Sequence, residues 1–533
     1  MRTACITILE KRFHLEICEP VRSSWNEMQN LLLCQYNLDI KDDYMSKSIF
    51  VVMGALLSTQ ASASDGFSLL ATAINSFVFY QIPLGNGAIP LVVLALILAA
   101  FSFTIYLRFV NCSGFVHAVR LVKGDYTEKN SSGQINHFQA LATAISGTVG
   151  IGNIGGVAIA ISMGGVGAIF WLFVAGFFAM STKFVECTLG VMYREQNADG
   201  SVSGGPMYYL NHGLKQMGMS RLGACLGFFY AIVMAFAALG IGNMFQSNQA
   251  FSQVNTLFDG SLTEYNWLFG LVLSGMVFSV IYGGIQSIAR VTQFLVPIMA
   301  GLYVFFGLVV IGMNAALLPA ALKMIVTEAF HPTGVAGGMF GVMAIGFQRA
   351  VFSNEAGIGS ASIAHSAVQT NEPVTEGYVS LLEPFIDTMV VCMITALVIA
   401  TAMIAEPQIG HGLSGIQITS AAFQRSLPML PSLISICSIL FAISTQISWS
   451  YYGLKGWVYI TNDSKSSQTI YKVIYCLCII VGCMVNLTSI IDLSDSLVFL
   501  ICIPNLIGLC ILAKQVKGST LAYMKKIKHR VST

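Results

Sequence analysis

Apolar runs that are long enough to cross a lipid bilayer recur along almost the whole of this 533-residue chain. A spanning helix needs about 20 apolar residues, and only helices or closed barrels satisfy every backbone N–H and C=O in lipid. The sequence lacks the short alternating segments of a membrane barrel, and only 10% of its residues are charged, against about 25% in a soluble domain. It therefore predicts an all-α polytopic membrane protein.

About eleven transmembrane helices are predicted after Ser64. Their approximate bounds are 88–107, 138–162, 167–192, 222–252, 267–282, 291–313, 334–367, 377–403, 433–459, 473–487 and 497–513. The tail 514–533 is rich in lysine and arginine, and positive charge favours the cytoplasmic side. We therefore expect a transporter domain at 88–513 in the bacterial inner membrane, a periplasmic segment at 64–87 and a cytoplasmic C-terminus.

The first 63 residues follow a different pattern from the rest of the chain. Residues 1–44 have ordinary charge density and no spanning run. Lys47, the apolar run 49–57 and the small residues Ala61 and Ala63 then resemble a secretory signal peptide. We expect a non-native upstream extension at 1–44 and a signal peptide at 45–63; the alternative is a cytosolic domain followed by an additional anchor.

The second and seventh spans carry glycines and polar residues where a lipid-facing helix would carry leucine. Aligning them at their Gly-Ile-Gly sequences superposes Gly150–Gly152 on Gly357–Gly359. The two segments lie five spans apart, so the two copies have opposite orientations in the membrane. This pattern predicts a five-plus-five inverted repeat with two broken helices.

A broken helix at the membrane midplane needs a polar partner, because lipid cannot satisfy its free backbone groups. Half-helix N-termini favour a substrate carboxylate, while free carbonyls and half-helix C-termini favour a cation. An amino acid together with Na⁺ would satisfy both. The alternative is that the glycines only allow close helix packing, as Gly152 and Gly156 could.

Six ordered motifs resemble the alanine or glycine:cation symporter family. They are Gly147-Thr148-Val149-Gly150-Ile151-Gly152-Asn153, Gly164-Gly165 through Phe170-Trp171, Thr182-Lys183-Phe184 with Glu186 and Tyr193-Arg194-Glu195, Gly204-Gly205-Pro206-Met207-Tyr208-Tyr209, Phe352-Ser353-Asn354-Glu355-Ala356-Gly357, and Ser448-Trp449-Ser450-Tyr451-Tyr452-Gly453. The chain departs from the family pattern at Leu172-Phe173 and at Gly155, in positions that affect packing. The resemblance implies a leucine-transporter-like fold, one substrate at the midplane and coupling to Na⁺.

The resemblance also implies a set of site residues. Its substrate contacts would be Thr148, Gly150, Gly152, Asn153, Gln246, Phe352, Thr445 and Trp449. Among these, Phe352 would form a wall and Trp449 a lid over the substrate. A sodium site of the kind shared by this fold would use carbonyls of Ser146 and Val149 with hydroxyls of Ser444, Thr445 or Ser448.

Three ionisable residues of the seventh span need a partner in the membrane. Glu355 follows the second break, and it is either functional or neutralised by Arg349 six residues earlier. His365 could titrate near neutral pH, but we expect a packed or gate-lining residue.

Four further charges lie in the third and eighth spans. We expect Lys183 and Glu186 to form an intrahelical pair. Glu383 and Asp387, at helical spacing, are expected to satisfy neighbouring helix ends.

The sequence favours a secondary transporter over a channel or an enzyme. Its polarity is confined to two breaks and a few facing residues, whereas a channel needs a continuous polar path. Neither catalytic motifs nor a nucleotide-binding loop is found. We predict a sodium-coupled symporter of alanine or glycine, with serine and D-alanine as further candidates and proton coupling as the alternative. It is expected to need no cofactor, nucleotide or nucleic acid and to work as a monomer in the lipid bilayer.

Overall fold

The computed structural model describes residues 74–84, 87–126, 132–197, 200–331, 337–461 and 463–532. The predicted extension and signal peptide lie outside these ranges. Two short antiparallel hairpins pair β1, Gln81–Leu84, with β2, Gly87–Pro90, and β3, Glu195–Gln196, with β4, Val202–Ser203. The remaining regular structure in these ranges is helical.

A helical segment at 74–78 precedes β1, and twenty-one α-helices follow from Leu91 onward within the described ranges. In chain order they are α1 Leu91–Tyr106, α2 Val110–Ser113, α3 Phe115–Lys123, α4 His137–Thr148, α5 Gly155–Gly164, α6 Ala168–Met192, α7 Pro206–Gln216, α8 Ser220–Leu239, α9 Phe245–Leu257, α10 Asn266–Ile281, α11 Gly284–Met313, α12 Leu318–Phe330, α13 Gly338–Asn354, α14 Ser360–His365, α15 Pro373–Ser380, α16 Leu382–Pro384, α17 Met393–Ala405, α18 Ile416–Ser426, α19 Leu430–Thr461, α20 Lys465–Met484 and α21 Leu487–Ser532. Two π-helices, Gly240–Met244 and Phe385–Cys392, join α8 to α9 and α16 to α17.

Helices long and apolar enough to cross a membrane number eight among the described residues, or nine if a bent pair counts as one span. The bent pair is the second predicted span. The first predicted span is the 16-residue helix α1, and the seventh is divided between α13 and α14. The prediction of a polytopic helical membrane protein is confirmed, whereas length and composition do not establish the count of eleven.

The second predicted span is broken between α4 and α5, whose axes differ by 58°. Val149 leaves the helical region with φ −76° and ψ 89°. Gly150 is extended, with φ −134° and ψ −160°. The chain then makes a short 3₁₀ turn, Ile151–Asn153, before α5 begins. The first predicted break is therefore present.

The seventh predicted span is broken between α13 and α14. Glu355 ends α13 in the left-handed region with φ 59°. Gly357 and Gly359 follow with φ 92° and 85°, a backbone that glycine adopts without a Cβ penalty. The second predicted break is therefore also present, and it holds a non-glycine residue in a strained conformation.

Two sets of helices meet along α4. On one side, α14 packs against α4, and α6 packs against α13, α14 and α15. On the other side, α4 contacts α11 and α19, and α19 also packs against α8 and α9. Both breaks therefore lie inside the protein, where α9 and α19 can provide side chains to them.

Large apolar side chains are exposed on α10 and α11, including Leu271, Val272, Phe294 and Phe305. A continuous exposed apolar surface of this kind is expected where a helix faces lipid. It agrees with the assignment of the chain as a multi-pass membrane protein.

Candidate functional site

The backbone of the first break is held by two amide side chains. Gly150 N–H donates to Asn153 Oδ1 over 2.9 Å, and Ile151 N–H donates to Gln246 Oε1 over 3.1 Å. Gln246 is itself oriented because its Nε2 donates to Ile241 O, in the π-helix, over 3.0 Å. The predicted residues Asn153, Gly150 and Gln246 are thus brought together.

Thr445 of α19 lies directly against this break. A Cβ placed on Gly150 would lie 2.4 Å from Thr445 Oγ1, so only glycine allows this approach. Thr445 is buried, and its hydroxyl has no hydrogen-bond partner among the described residues. Buried polar atoms are normally hydrogen-bonded, so this hydroxyl marks a place where a polar ligand would fit.

Phe352 forms an aromatic wall beside the first break. A Cβ on Gly152 would lie 3.8 Å from the Phe352 ring, in ordinary van der Waals contact. Phe245 packs edge-on against Phe352, with ring centroids 5.3 Å apart. The predicted wall residue and the predicted Gly152 are therefore neighbours.

Trp449 lies one helical turn beyond Thr445 on α19 and is fully buried. Its ring packs so closely on Gly242 that a Cβ there would lie 2.0 Å from it. The indole Nε1–H donates to Glu355 Oε1 over 2.8 Å, and Ser360 Oγ donates to the other carboxylate oxygen. A residue of the second break thus orients the predicted lid residue.

Asp387 connects the two broken helices. Asn153 Nδ2 donates to Asp387 Oδ1 over 2.5 Å, while Ser353 Oγ of α13 donates to Oδ2 over 2.9 Å and Thr388 Oγ1 donates to Oδ2 over 2.7 Å. Asp387 is fully buried and belongs to a π-helix, a feature that is frequent at functional sites. The expectation that Asp387 satisfies helix ends missed this role.

The predicted sodium ligands lie together where α4 packs against α19. Ser146 Oγ donates to Ser444 O over 2.6 Å, and Ser448 Oγ donates to Thr143 O over 2.8 Å. Ser444 Oγ donates to Phe441 O over 2.9 Å within its own helix. These are neutral oxygen groups of the type that hard cations prefer.

Two further predicted residues lie at the end of α4. Thr148 Oγ1 donates to Ala144 O and Ile145 O over 3.4 and 3.3 Å, so its hydroxyl is directed back along its own helix. Val149 follows at the helix end, where carbonyls lose their intrahelical donors. Val149 therefore lies at a helix end, while the Thr148 hydroxyl is bound within its own helix.

The second break is held by side chains from three other helices. Glu186 of α6 accepts hydrogen bonds from Gly357 N over 2.9 Å and from Asn505 Nδ2 over 2.8 Å. Asn505 Nδ2 also donates to Gly357 O over 2.8 Å, and Tyr230 OH donates to Ile358 O over 2.8 Å. The backbone of this break is thus largely satisfied by the protein, in contrast to the open hydroxyl at the first break.

The predicted Lys183–Glu186 pair is wrong, and of the two alternatives for Glu355 the one in which Arg349 neutralises it is excluded. Arg349 pairs with Asp495 of α21 and leaves Glu355 to Trp449 and Ser360. Lys183 pairs with Glu383, with Nζ 3.2 Å from Oε2.

Lys183 pairs with Glu383 while Glu186 is bound at the second break. Glu186 Oε1 accepts hydrogen bonds at the second break, and the ion pair of Lys183 in the described part of the chain is with Glu383. Glu383 also binds His365, with Nε2 2.6 Å from Oε1. Glu383 therefore joins an internal charge pair and does not satisfy a helix end.

Comparison with solved structures identifies the fold. The crystal structure of MhsT in complex with L-phenylalanine superposes with a TM-score of 0.52 at 15% identity, over 72% of this chain and 90% of that chain. This likeness, together with the two broken helices, shows the leucine-transporter-like fold. The predicted fold class is confirmed.

Sequence comparison then identifies the family. The sequence model of the sodium:alanine symporter family matches residues 76–533, and the chain belongs to this family. It is 37% identical to the sodium/alanine symporter AgcS of Methanococcus maripaludis over 460 residues, 86% of this chain and 97% of that protein. It is 31% identical to the amino-acid carrier protein AlsT of Bacillus subtilis over 413 residues, 77% of this chain and 84% of that protein.

Proposed function

We propose that this chain is a sodium-coupled symporter that carries small neutral amino acids, with alanine and glycine foremost and serine and D-alanine as further candidates. It would work by alternating access as a monomer in a bacterial inner membrane, with its C-terminus in the cytoplasm. The relatives named for alanine and for amino acids support the substrate class. The observation that carries the proposal is the buried, unpartnered Thr445 hydroxyl against the break at Gly150.

The substrate would lie between the first break and α19. Its carboxylate would lie near the backbone at 150–152, because half-helix N-termini favour negative charge, and the Gly150 and Ile151 N–H groups would turn to it from Asn153 and Gln246. Its ammonium group would need acceptors, and Thr445 Oγ1 and Gln246 Oε1 both face Gly150. Phe352 and Trp449 would limit the length of the side chain, which explains a preference for small substrates.

The coupling ion would bind beside the substrate. Carbonyls at Ser146 and Val149 with hydroxyls at Ser444, Thr445 and Ser448 offer the hard oxygen ligands that replace a hydration shell. Asp387 adds a buried carboxylate that hydrogen-bonds Asn153 and would favour a cation near the first break. Proton coupling is the second candidate, because the buried carboxylates Asp387 and Glu355 could each carry a proton.

Measuring alanine binding to purified protein tests whether the Thr445 hydroxyl contacts the substrate. Thr445→Val keeps the side-chain volume but removes the hydroxyl, whereas Thr445→Ser keeps the hydroxyl and removes a methyl group. Loss of a hydrogen bond to a charged group costs about 1.5 to 3 kcal/mol, so alanine affinity should fall about 10- to 100-fold in Thr445→Val and much less in Thr445→Ser. Equal affinities for both variants by calorimetry in sodium chloride would show that Thr445 is not a substrate contact.

A further inference from the structure

Five ionisable side chains form a buried charge network at the ends of α4 and α14 that lie away from the two breaks. They are His137, Lys183, His365, Glu376 and Glu383, and each is at most 6% exposed. His137 is the first residue of α4, and His365 is the last residue of α14. The others come from α6, α15 and α16, so the network joins helices that pack around α6. The proposed transport site uses none of these residues.

His365 is the centre of this buried charge network. Its Nδ1 contacts Glu376 Oε2, and its Nε2 lies 2.6 Å from Glu383 Oε1. The second oxygen of Glu376 contacts His137 Nδ1, while the second oxygen of Glu383 lies 3.2 Å from Lys183 Nζ. Each ring nitrogen of His365 therefore faces a carboxylate oxygen.

A neutral imidazole does not fit between two carboxylates. It carries one N–H, and its other nitrogen presents a lone pair, which would face a carboxylate oxygen at hydrogen-bond distance. Two lone pairs at that separation repel each other. The geometry around His365 therefore requires one additional proton, either on the ring or on a carboxylate.

Charge balance requires that proton, and the ring receives it because imidazole is more basic than a carboxylate. Lys183 neutralises only one of the two carboxylates of Glu376 and Glu383, so the buried charge network without the proton carries one net negative charge. An uncompensated charge inside a membrane protein is strongly unfavourable. An imidazolium at His365 makes the network neutral when His137, which contacts Glu376 through Nδ1, is counted as a neutral ring.

Three further charged groups act on this network from outside it, Glu186 and Glu355 on Lys183 and Arg194 on Glu376, but each also has hydrogen-bond partners elsewhere. Glu186 is bound in the second break, and Arg194 donates to the carbonyls of Ser366 and Val368. The Cys187 thiol lies within 4.8 Å of a His365 ring nitrogen and a Glu383 oxygen. A metal ion between Cys187, His365 and Glu383 is disfavoured, because the positive Lys183 ammonium group already contacts Glu383.

We propose that His365, between Glu376 and Glu383, is a binding site for one resident proton that stays with the protein throughout the transport cycle. The proton neutralises the buried charge network and so keeps α4, α6, α14 and α15 together at this end. A coupling proton would have to leave at each turnover. The protonation of His365 does not depend on the transported amino acid or on sodium coupling, whereas the test that the proton stays through transport rests on the proposed sodium-driven alanine uptake.

Solid-state NMR of the full-length protein in lipid vesicles, labelled with ¹⁵N-histidine, tests the site. At about pH 9 an ordinary imidazole is neutral, so one of the eight histidines should retain hydrogen on both ring nitrogens. That signal should disappear in His365→Gln and persist in the exposed control His411→Gln. If every histidine shows a bare ring nitrogen at this pH, or if the signal survives His365→Gln, the assignment is wrong.

A second variant tests the charge count if His365→Gln does not fold. The double variant His365→Gln/Glu376→Gln is neutral by count and should yield folded protein where the single variant does not, and a double variant that fails equally would contradict the need for the proton. Whether the proton stays with the protein during transport is tested with a pH-sensitive dye inside proteoliposomes. Sodium-driven alanine uptake should move no protons, and one proton taken up with each alanine and lost in the double variant would overturn the proposal.

Discussion

Trp449 Nε1 donates a hydrogen bond to Glu355 Oε1 over 2.8 Å, and both residues are buried. The indole lies beside Gly242, which has no side chain to displace it. The carboxylate comes from the strained residue that ends α13 at the second break. The orientation of the proposed lid over the first break is therefore set by the second break.

Shortening this lid should change which substrates are accepted. Trp449→Ala should weaken alanine transport and widen acceptance toward valine and leucine, since one methylene in an apolar pocket is worth about 1 to 3 kcal/mol of discrimination. Competition of labelled alanine uptake by alanine, serine, valine and leucine measures this. Trp267→Ala, at a tryptophan that is 49% exposed, is the matched control and should keep the parental selectivity. Parental selectivity in Trp449→Ala would remove Trp449 from the pocket.

Asn153→Ala should act on affinity without changing selectivity. The variant leaves the Gly150 N–H and the Asp387 carboxylate without their shared partner. An unsatisfied buried polar group costs about 1 to 3 kcal/mol, and no useful space is created. We expect lower affinity for alanine or Na⁺, and an unchanged order of competitors, in protein that elutes as a single peak in detergent. A broadened substrate range would instead place Asn153 on the pocket wall.

Asp387→Asn should weaken the response to Na⁺ more than the response to alanine. The change keeps the side-chain shape but removes a buried negative charge that hydrogen-bonds Asn153. Interactions with charged groups are worth about 1.5 to 3 kcal/mol, so the half-saturating Na⁺ concentration should rise about 10- to 100-fold. Asp492→Asn, at an exposed aspartate of α21, is the control. Equal Na⁺ dependence of the two variants would contradict a role for Asp387 near the cation.

The sequence was sufficient to predict the two breaks because their signal is local. Glycines around Gly150 and Gly357 interrupt apolar runs, and each interruption predicts where the helix cannot continue. The role of Asp387 was not predictable in this way. Its partner Asn153 is 234 residues away, and the π-helix around it shifts the register from which helical spacing would assign its face.

The two pairings that the structure excludes, Lys183 with Glu186 and Arg349 with Glu355, have the same physical cause. Sequence analysis pairs charges that are close along one helix, as for Arg349 with Glu355. The fold instead brings Asp495 to Arg349 across 146 residues. In a membrane interior each charge binds the nearest opposite charge in space, and helix packing decides which one that is.

Uptake of labelled alanine into proteoliposomes, with Na⁺ and pH gradients imposed separately, tests the central claim most directly. Inward Na⁺ at equal pH should drive accumulation of alanine, and replacing Na⁺ by choline should abolish it. A proton gradient in choline should drive none. Accumulation of alanine driven by the proton gradient alone, undiminished by the absence of Na⁺, would contradict sodium coupling.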